Sequence, residues 1–198
     1  MKFYDCSTAP SPRRARMVIA EKRVDVETVE VDLRSGEHFA PDFQAINPRC
    51  TVPVLITQEG EALCDNAAIV RYLEALHPDP PLLGTTALDQ ARTAEWIWRV
   101  ETDGLMAIME VLRNTSKAMK DRALPGPDPV PQIPELAERG RVRGERFFQV
   151  MDERLKETPW LAGEHFSFAD ISAFVFVEFA DWVKLQPSEE LEALASWR

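Results

Sequence analysis

His77-Pro78-Asp79-Pro80-Pro81 places three prolines in four residues, and neither a helix nor a strand ladder runs through such a stretch. The chain must stop and restart near residue 80, and its character differs on the two sides. Before the break, short runs alternate apolar and polar residues. After it, the alternation disappears and long stretches carry apolar residues at helical spacing. The switch predicts a small α/β unit over residues 1–77, a linker over 78–85 and an all-helical unit over 86–198. A length of 198 residues suits two small domains.

In the first part, Lys2-Phe3-Tyr4-Asp5-Cys6 reads as an opening strand, followed by the turn-rich Ser7-Thr8-Ala9-Pro10-Ser11-Pro12. Residues 13–23 read as a helix, and Val24 to Asp32 alternates with the period of a strand. Val52 to Ile56 reads as a third strand with Pro53 near its start. A proline there lacks the ladder N–H and belongs at an edge or a special turn. Gln58-Glu59-Gly60-Glu61 is a hairpin turn, and Ala62-Leu63-Cys64 is the returning strand. Asp65-Asn66 then caps a helix that carries Ile69, Val70, Leu73 and Leu76.

In the second part, residues 86–120 and 135–157 have helical periodicity. The segment between them holds Pro125, Pro127, Pro129, Pro131 and Pro134 and reads as a loop. Ser167-Phe168-Ala169-Asp170 is a capping box with Asp in place of the usual Glu. The helix after it, Ile171 to Val183, is apolar nearly all round, which predicts the core of this part.

Composition narrows the function. With 23 basic and 33 acidic residues the net charge is -10, which disfavours binding to phosphate backbones. No stretch approaches the roughly 18 apolar residues of a membrane helix. Met1 to Asp5 has no basic-then-apolar signal region, so a cytoplasmic address is expected. Cys6, Cys50 and Cys64 lack ligand spacing and cannot all pair. They are expected to be buried, reduced thiols, with no metal site and no disulfide framework.

Four features of the first 75 residues carry chemistry. A hydroxyl-rich turn leads into a helix N-terminus bearing Arg13, Arg14 and Arg16, where the dipole and free N–H groups favour an anion or an incipient thiolate. Val52-Pro53, if cis, presents the Val52 backbone outward as a strand edge would. Asp65-Asn66 joins a carboxylate and an amide at a helix N-cap, a pair suited to an ammonium and a carboxylate together. His38 lies in the loop after the second strand. Each is weak alone, since caps carry Ser and Asp for structural reasons and a loop His is ordinarily solvated. Their order and spacing add the information.

Asn47-Pro48-Arg49-Cys50-Thr51-Val52-Pro53-Val54-Leu55, then Asp65-Asn66-Ala67-Ala68-Ile69-Val70-Arg71-Tyr72-Leu73, resembles the N-terminal domain of cytosolic glutathione transferases. Trp160-Leu161-Ala162-Gly163 with Ser167 to Ile171 is similar to their helical domain. The resemblance covers nearly the whole chain. It implies an α/β thioredoxin-like domain followed by an all-α domain, a homodimer, and glutathione as co-substrate with no metal. It also implies that Val52 pairs its backbone with the cysteinyl part of glutathione beside cis Pro53. Asp65 would take the γ-glutamyl ammonium, and Asn66 with helix N–H groups the γ-glutamyl carboxylate. His38, with Arg49, would sit toward the glycyl carboxylate. Arg13, His38 and Arg49 matter because an anionic tripeptide needs local positive potential on an acidic protein.

The sequence departs from the family at two points. Asn66 stands where Ser is usual. Ala9-Pro10 stands where a Ser-Pro is expected, so the usual catalytic hydroxyl is absent. Ser11, before Pro12 at the helix start, is taken as the catalytic hydroxyl, with Cys6, Ser7 and Thr8 as alternatives. The expected activity is attack of glutathione thiolate on a small hydrophobic electrophile bound between the domains. Residues from Trp96 to Met109 are candidate walls, though ordinary helix packing accounts for that stripe as well. The alternatives are a glutathione-dependent disulfide reductase and a non-catalytic binding protein that lost the turn hydroxyl. Ending at Trp197-Arg198, the chain lacks the trailing segment usual in the family, so a shortened chain is expected.

Overall fold

The computed structural model describes all of residues 1–198. Contacts group them into two compact units: residues 1–80 with 124–128, and residues 81–123 with 129–198. The first holds strands β1 (Lys2–Asp5), β2 (Glu27–Glu30), β3 (Val54–Ile56) and β4 (Ala62–Cys64), with helices α1 (Pro10–Glu21), α2 (Pro41–Ile46) and α3 (Asn66–Leu76). The sheet order is β2-β1-β3-β4, with β1 and β2 parallel and the other two pairs antiparallel. This is a thioredoxin-like arrangement, and the second unit is all helical.

Local chemistry moves several boundaries. α1 begins at Pro10, three residues before the apolar spacing shows it. Pro10 and Pro12 fit in the first turn because the N–H they lack would have no helical partner there. β2 is shorter than its alternating run. It is an edge strand paired only to β1, and its side chains are mostly exposed. α2 has six residues, too short for a periodicity signal, and only Pro41 at its first position marks it. The predicted hairpin, the Asp65 cap and the helix to Leu76 all form.

The core of the first unit lies on both faces of the central strands. Phe3, Leu55, Ile69 and Leu73 are fully buried. Each such side chain contributes about 1.5–3 kcal/mol relative to exposure. Cys6, Val31, Phe43, Val52 and Val54 form a further cluster beneath the first turn. Lys22, at the end of α1, is a buried cation. Its Nζ donates to the carbonyls of His77 (2.7 Å) and Pro80 (2.8 Å) and lies 2.6 Å from the Glu74 carboxylate. Three acceptors match its three protons, so the charge is fully compensated and the exit from α3 is tied to α1.

The second unit contains α4 (Ala87–Arg99), α5 (Met106–Thr115), α6 (Pro134–Glu157), α7 (Phe168–Ala180) and α8 (Glu192–Trp197). Val100–Leu105 forms a π-helical segment between α4 and α5. Thr86 and Asp89 make a capping box for α4, in addition to the Ser167–Asp170 box of α7. The buried Asp170 carboxylate accepts from the Leu161 amide (2.9 Å), the Ser167 amide (3.0 Å) and the Ser167 hydroxyl (2.9 Å). α7 is the central helix, as its apolar composition predicts. Phe176 packs against Phe148 and Phe147 with ring centroids 4.9 and 5.3 Å apart. No helix is long and apolar enough to cross a membrane.

Candidate functional site

The loop into β3 is held by one buried amide. Asn47 Nδ2 donates to the Thr51 carbonyl (2.8 Å) and hydroxyl (3.1 Å), while its Oδ1 accepts from the Arg49 amide (3.0 Å). This staple delivers the chain into a cis Val52–Pro53 peptide. The Val52 side chain is buried in the cluster beneath the turn, but its backbone N–H and C=O find no partner in the protein. They form an open rung beyond the end of β3, able to pair with an extended peptide.

Past β4 the chain turns through Asp65, whose φ of 83° and ψ of 160° lie in a region that favours glycine. Holding a non-glycine residue there costs about 1–3 kcal/mol. Asp65 Oδ1 caps α3 by accepting from the amides of Ala67 (3.1 Å) and Ala68 (3.4 Å). The carboxylate is exposed, and its second oxygen accepts no hydrogen bond. The Asn66 N–H, at the first helical position, has no backbone partner.

The Asn66 side chain does not point out to a ligand as expected. It is buried, and its Nδ2 donates to the Ser11 carbonyl and the Ser11 Oγ, each at 3.1 Å. The amide occupying the usual Ser position is thus engaged across 55 residues of sequence with the residue singled out as catalytic.

The first turn offers four candidate groups. Ser7 is bound to β2: its amide (2.8 Å) and hydroxyl (2.9 Å) both donate to Glu30 Oε1. Its carbonyl accepts from Arg16, which is also paired with the buried Asp5 carboxylate at 2.6 and 2.7 Å. Thr8 is exposed, with its hydroxyl 3.5 Å from Cys6 Sγ. Cys6 is buried in the cluster beneath. Ser11 is half-buried at the second position of α1. The expected row of donors at this helix end is reduced. Pro10 and Pro12 have no N–H, leaving the Ser11 amide as the N–H of the first three helical residues.

Two basic residues complete the expectation. Arg49 is exposed and forms no ion pair, and its charge is felt at Cys64. His38 is not in a solvated loop. It sits in a 3-10 turn over Glu37–Phe39 and is 5% exposed, with its ring 3.9 Å from that of Phe39. Neither Cys50 nor Cys64 is a primed nucleophile. Burial pushes the Cys50 thiol up, and burial with the Asp65 carboxylate does the same to Cys64 against a weaker opposing pull from Arg49. All three cysteines are free, and no group of three or more His, Cys, Asp or Glu is arranged to hold a metal ion.

The structure therefore connects Ser11, Asn66, Asp65 and Pro53. Ser11 is bonded to Asn66, and the Asp65 amide lies 3.5 Å from the Pro53 carbonyl. Neither the Asn47 staple nor the Ser7–Glu30–Arg16–Asp5 network was found by reading the sequence. The Asn of N-P-x-x-x-V-P was the signal for the first, and nothing in the spacing signals the second. The Trp96 stripe is resolved within the helical unit. Trp96 is 6% exposed, with the Arg99 and Arg154 guanidinium groups 5.0 and 5.8 Å from its ring centroid. It borders a polar cleft of about 650 Å³ between α4, α6 and the 158–167 loop.

The fold has counterparts among known proteins. Residues 8–76 match the family model for the glutathione S-transferase N-terminal domain, and residues 105–198 match that for its C-terminal domain. The chain is 34% identical to glutathione S-transferase 2 of Saccharomyces cerevisiae over 202 residues, covering 100% of this chain and 83% of that protein. It is 29% identical to the disulfide-bond oxidoreductase YfcG of Escherichia coli, covering 88% and 79%. A glutathione S-transferase domain-containing protein from Marinobacter aquaeolei superposes with a TM-score of 0.91 at 30% identity, covering 100% and 95%.

Proposed function

Because the chain belongs to the glutathione S-transferase family, we propose that its first unit binds glutathione and activates the thiol for attack on a small hydrophobic electrophile. The observation that carries this reading is Asp65, a strained, exposed N-cap carboxylate beside the cis Val52–Pro53 peptide with its open backbone rung. Strain of this kind persists where surrounding structure enforces a geometry that function needs. The cysteinyl backbone of glutathione pairs with Val52, and its ammonium meets the open oxygen of Asp65. The γ-glutamyl carboxylate meets the Asn66 N–H and the positive end of α3. Arg49 supplies a cation for the glycyl carboxylate. His38, being buried, shapes that end of the site rather than exposing its ring.

A free thiol with pKa about 8.5 is only about 3% thiolate at pH 7. Ser11 is assigned because its hydroxyl accepts from Asn66 and keeps its own proton, while Ser7 is committed to Glu30 and Cys6 is buried; the exposed Thr8 hydroxyl is the alternative. A hydrogen bond from Ser11 to sulfur, with the dipole of α1, favours the thiolate. The thiol proton leaves to solvent, and the sulfur lone pair then forms the carbon–sulfur bond while the electrophile's leaving group, chloride for a chloronitrobenzene, departs with its bonding pair. A second reading, glutathione-dependent disulfide reduction, is favoured by Ala9, which leaves the usual hydroxyl position empty, and by the likeness to YfcG. The protein acts as a cytoplasmic homodimer. The exposed Leu88 and Trp98 of α4 and Met106 of α5 support this, and light scattering at twice 22.5 kDa tests it.

The deciding experiment measures conjugation of a chloronitrobenzene and reduction of a glutathione-linked disulfide, for the protein and for Ser11→Ala. Conjugation lost in Ser11→Ala supports the first reading. Reduction without conjugation supports the second. Absence of both turnovers, with no retention on immobilised glutathione, overturns the enzyme reading.

A further inference from the structure

We propose that Asn66 is a positioning residue that leaves the Ser11 hydroxyl proton available to the glutathione sulfur, an inference that rests on the assignment of Ser11 above. The orientation of the Asn66 amide is decided by chemistry. Its terminal group lies 3.1 Å from the Ser11 carbonyl oxygen, which can only accept, so that group is the NH2. The same nitrogen lies 3.1 Å from Ser11 Oγ and donates to it. A hydroxyl that accepts from an amide cannot return its own proton to that amide. The Ser11 proton finds no other acceptor in the protein and is left to be donated elsewhere.

Two further observations separate this role from simple packing. Asn66 Oδ1 is buried with no hydrogen-bond partner in the protein, so the amide's polar contacts all run through its NH2 group to Ser11. The two bonds run to the one residue of the turn assigned to the sulfur, at the carbonyl and at the hydroxyl, so the amide fixes the Ser11 backbone and side chain together. Asn66 thereby orients the Ser11 hydroxyl. Asn66 touches glutathione only through its backbone N–H.

The test measures, for bound glutathione, the pH midpoint of thiolate absorbance and the Kd. The proteins are the wild type, Ser11→Ala, Asn66→Ala, Asn66→Ser and the double variant Ser11→Ala with Asn66→Ala. Asn66→Ser keeps a residue that relatives fold with, and guards against a misfolded Asn66→Ala. Each Asn66 variant is expected to raise the midpoint by about one pH unit, with Kd within about threefold of wild type. In the Ser11→Ala background, Asn66→Ala is expected to add almost nothing, because its effect passes through the missing hydroxyl. An unchanged midpoint with Kd weakened about tenfold or more makes the side chain a ligand contact and overturns the proposal while Ser11 stands. A full further rise in the double variant also overturns it. If Ser11→Ala itself leaves the midpoint unchanged, the Ser11 assignment and this inference fall together.

Discussion

Replacing Asp65 by glycine and by alanine separates backbone strain from ligand binding. At φ 83° and ψ 160° an l-residue is strained by about 1–3 kcal/mol, and glycine is not. Against that relief stands the cap. Losing the bonds to Ala67 and Ala68 costs about 1 kcal/mol in Asp65→Ala but only a few tenths in Asp65→Gly. Glycine adds about 0.5–1 kcal/mol through its freer unfolded chain. Asp65→Gly is therefore expected to be as stable as wild type or up to about 2 kcal/mol more stable, and Asp65→Ala less stable by about 1 kcal/mol. For a chain of this length, a difference of 1–3 kcal/mol appears as roughly 2–12 °C in Tm between the two variants. Both lose the carboxylate that meets the ammonium. A charge-assisted bond of about 1.5–3 kcal/mol corresponds to glutathione binding weakened roughly ten- to a hundredfold. Calorimetric melting and glutathione titration on the three proteins give both readouts. Equal Tm values for the two variants, or glutathione affinity preserved in either, would refute the reasoning.

Lys22→Met removes the Nζ that bonds the Glu74 carboxylate and two carbonyls, and a broken buried pair costs about 3–5 kcal/mol. The expected result is a Tm lower by about 6–20 °C, measured by thermal denaturation. Gly140→Ala places a Cβ 2.5 Å from the Ala107 carbonyl oxygen, where α6 packs on α5. A loss of about 1–3 kcal/mol or more is expected in urea unfolding, with an unchanged denaturant slope. The Thr86 hydroxyl and backbone amide hold the Asp89 carboxyl below its ordinary 3.8. Its unfolded form binds protons more readily, so the stabilisation is complete above about 3.8 and lost as pH falls through the lowered folded value. Acid titration of Asp89→Asn should lack the steepening below that pH which the wild type shows.

Elements with a long or regular signal were legible. The strand runs of β3 and β4, the Asp65 cap and the apolar α7 each combine local preference with burial, and they form, β3 starting at Val54 instead of Val52 and α7 running over Phe168–Ala180 instead of Ile171 to Val183. α2 and α8, at six residues each, span under two turns and carry too few residues for a period. α1 was read three residues short because its prolines look like a break, although a first turn accepts them. Within the site, the cap was readable from residue order, and the cis Val52–Pro53 peptide was implied by the family resemblance. The inward turn of Asn66 was not, because a bond across 55 residues leaves no trace in local spacing. The burial of His38 in the 3-10 turn, with its ring 3.9 Å from that of Phe39, likewise leaves no mark in its position after a strand.

A crystal structure of the protein soaked with glutathione tests the central claim most directly. The account predicts the sulfur within hydrogen-bond reach of Ser11 Oγ, the cysteinyl backbone paired with Val52, and the ammonium on Asp65. Glutathione bound with its sulfur against Thr8 or Cys6, or lodged in the cleft beside Trp96, would contradict it.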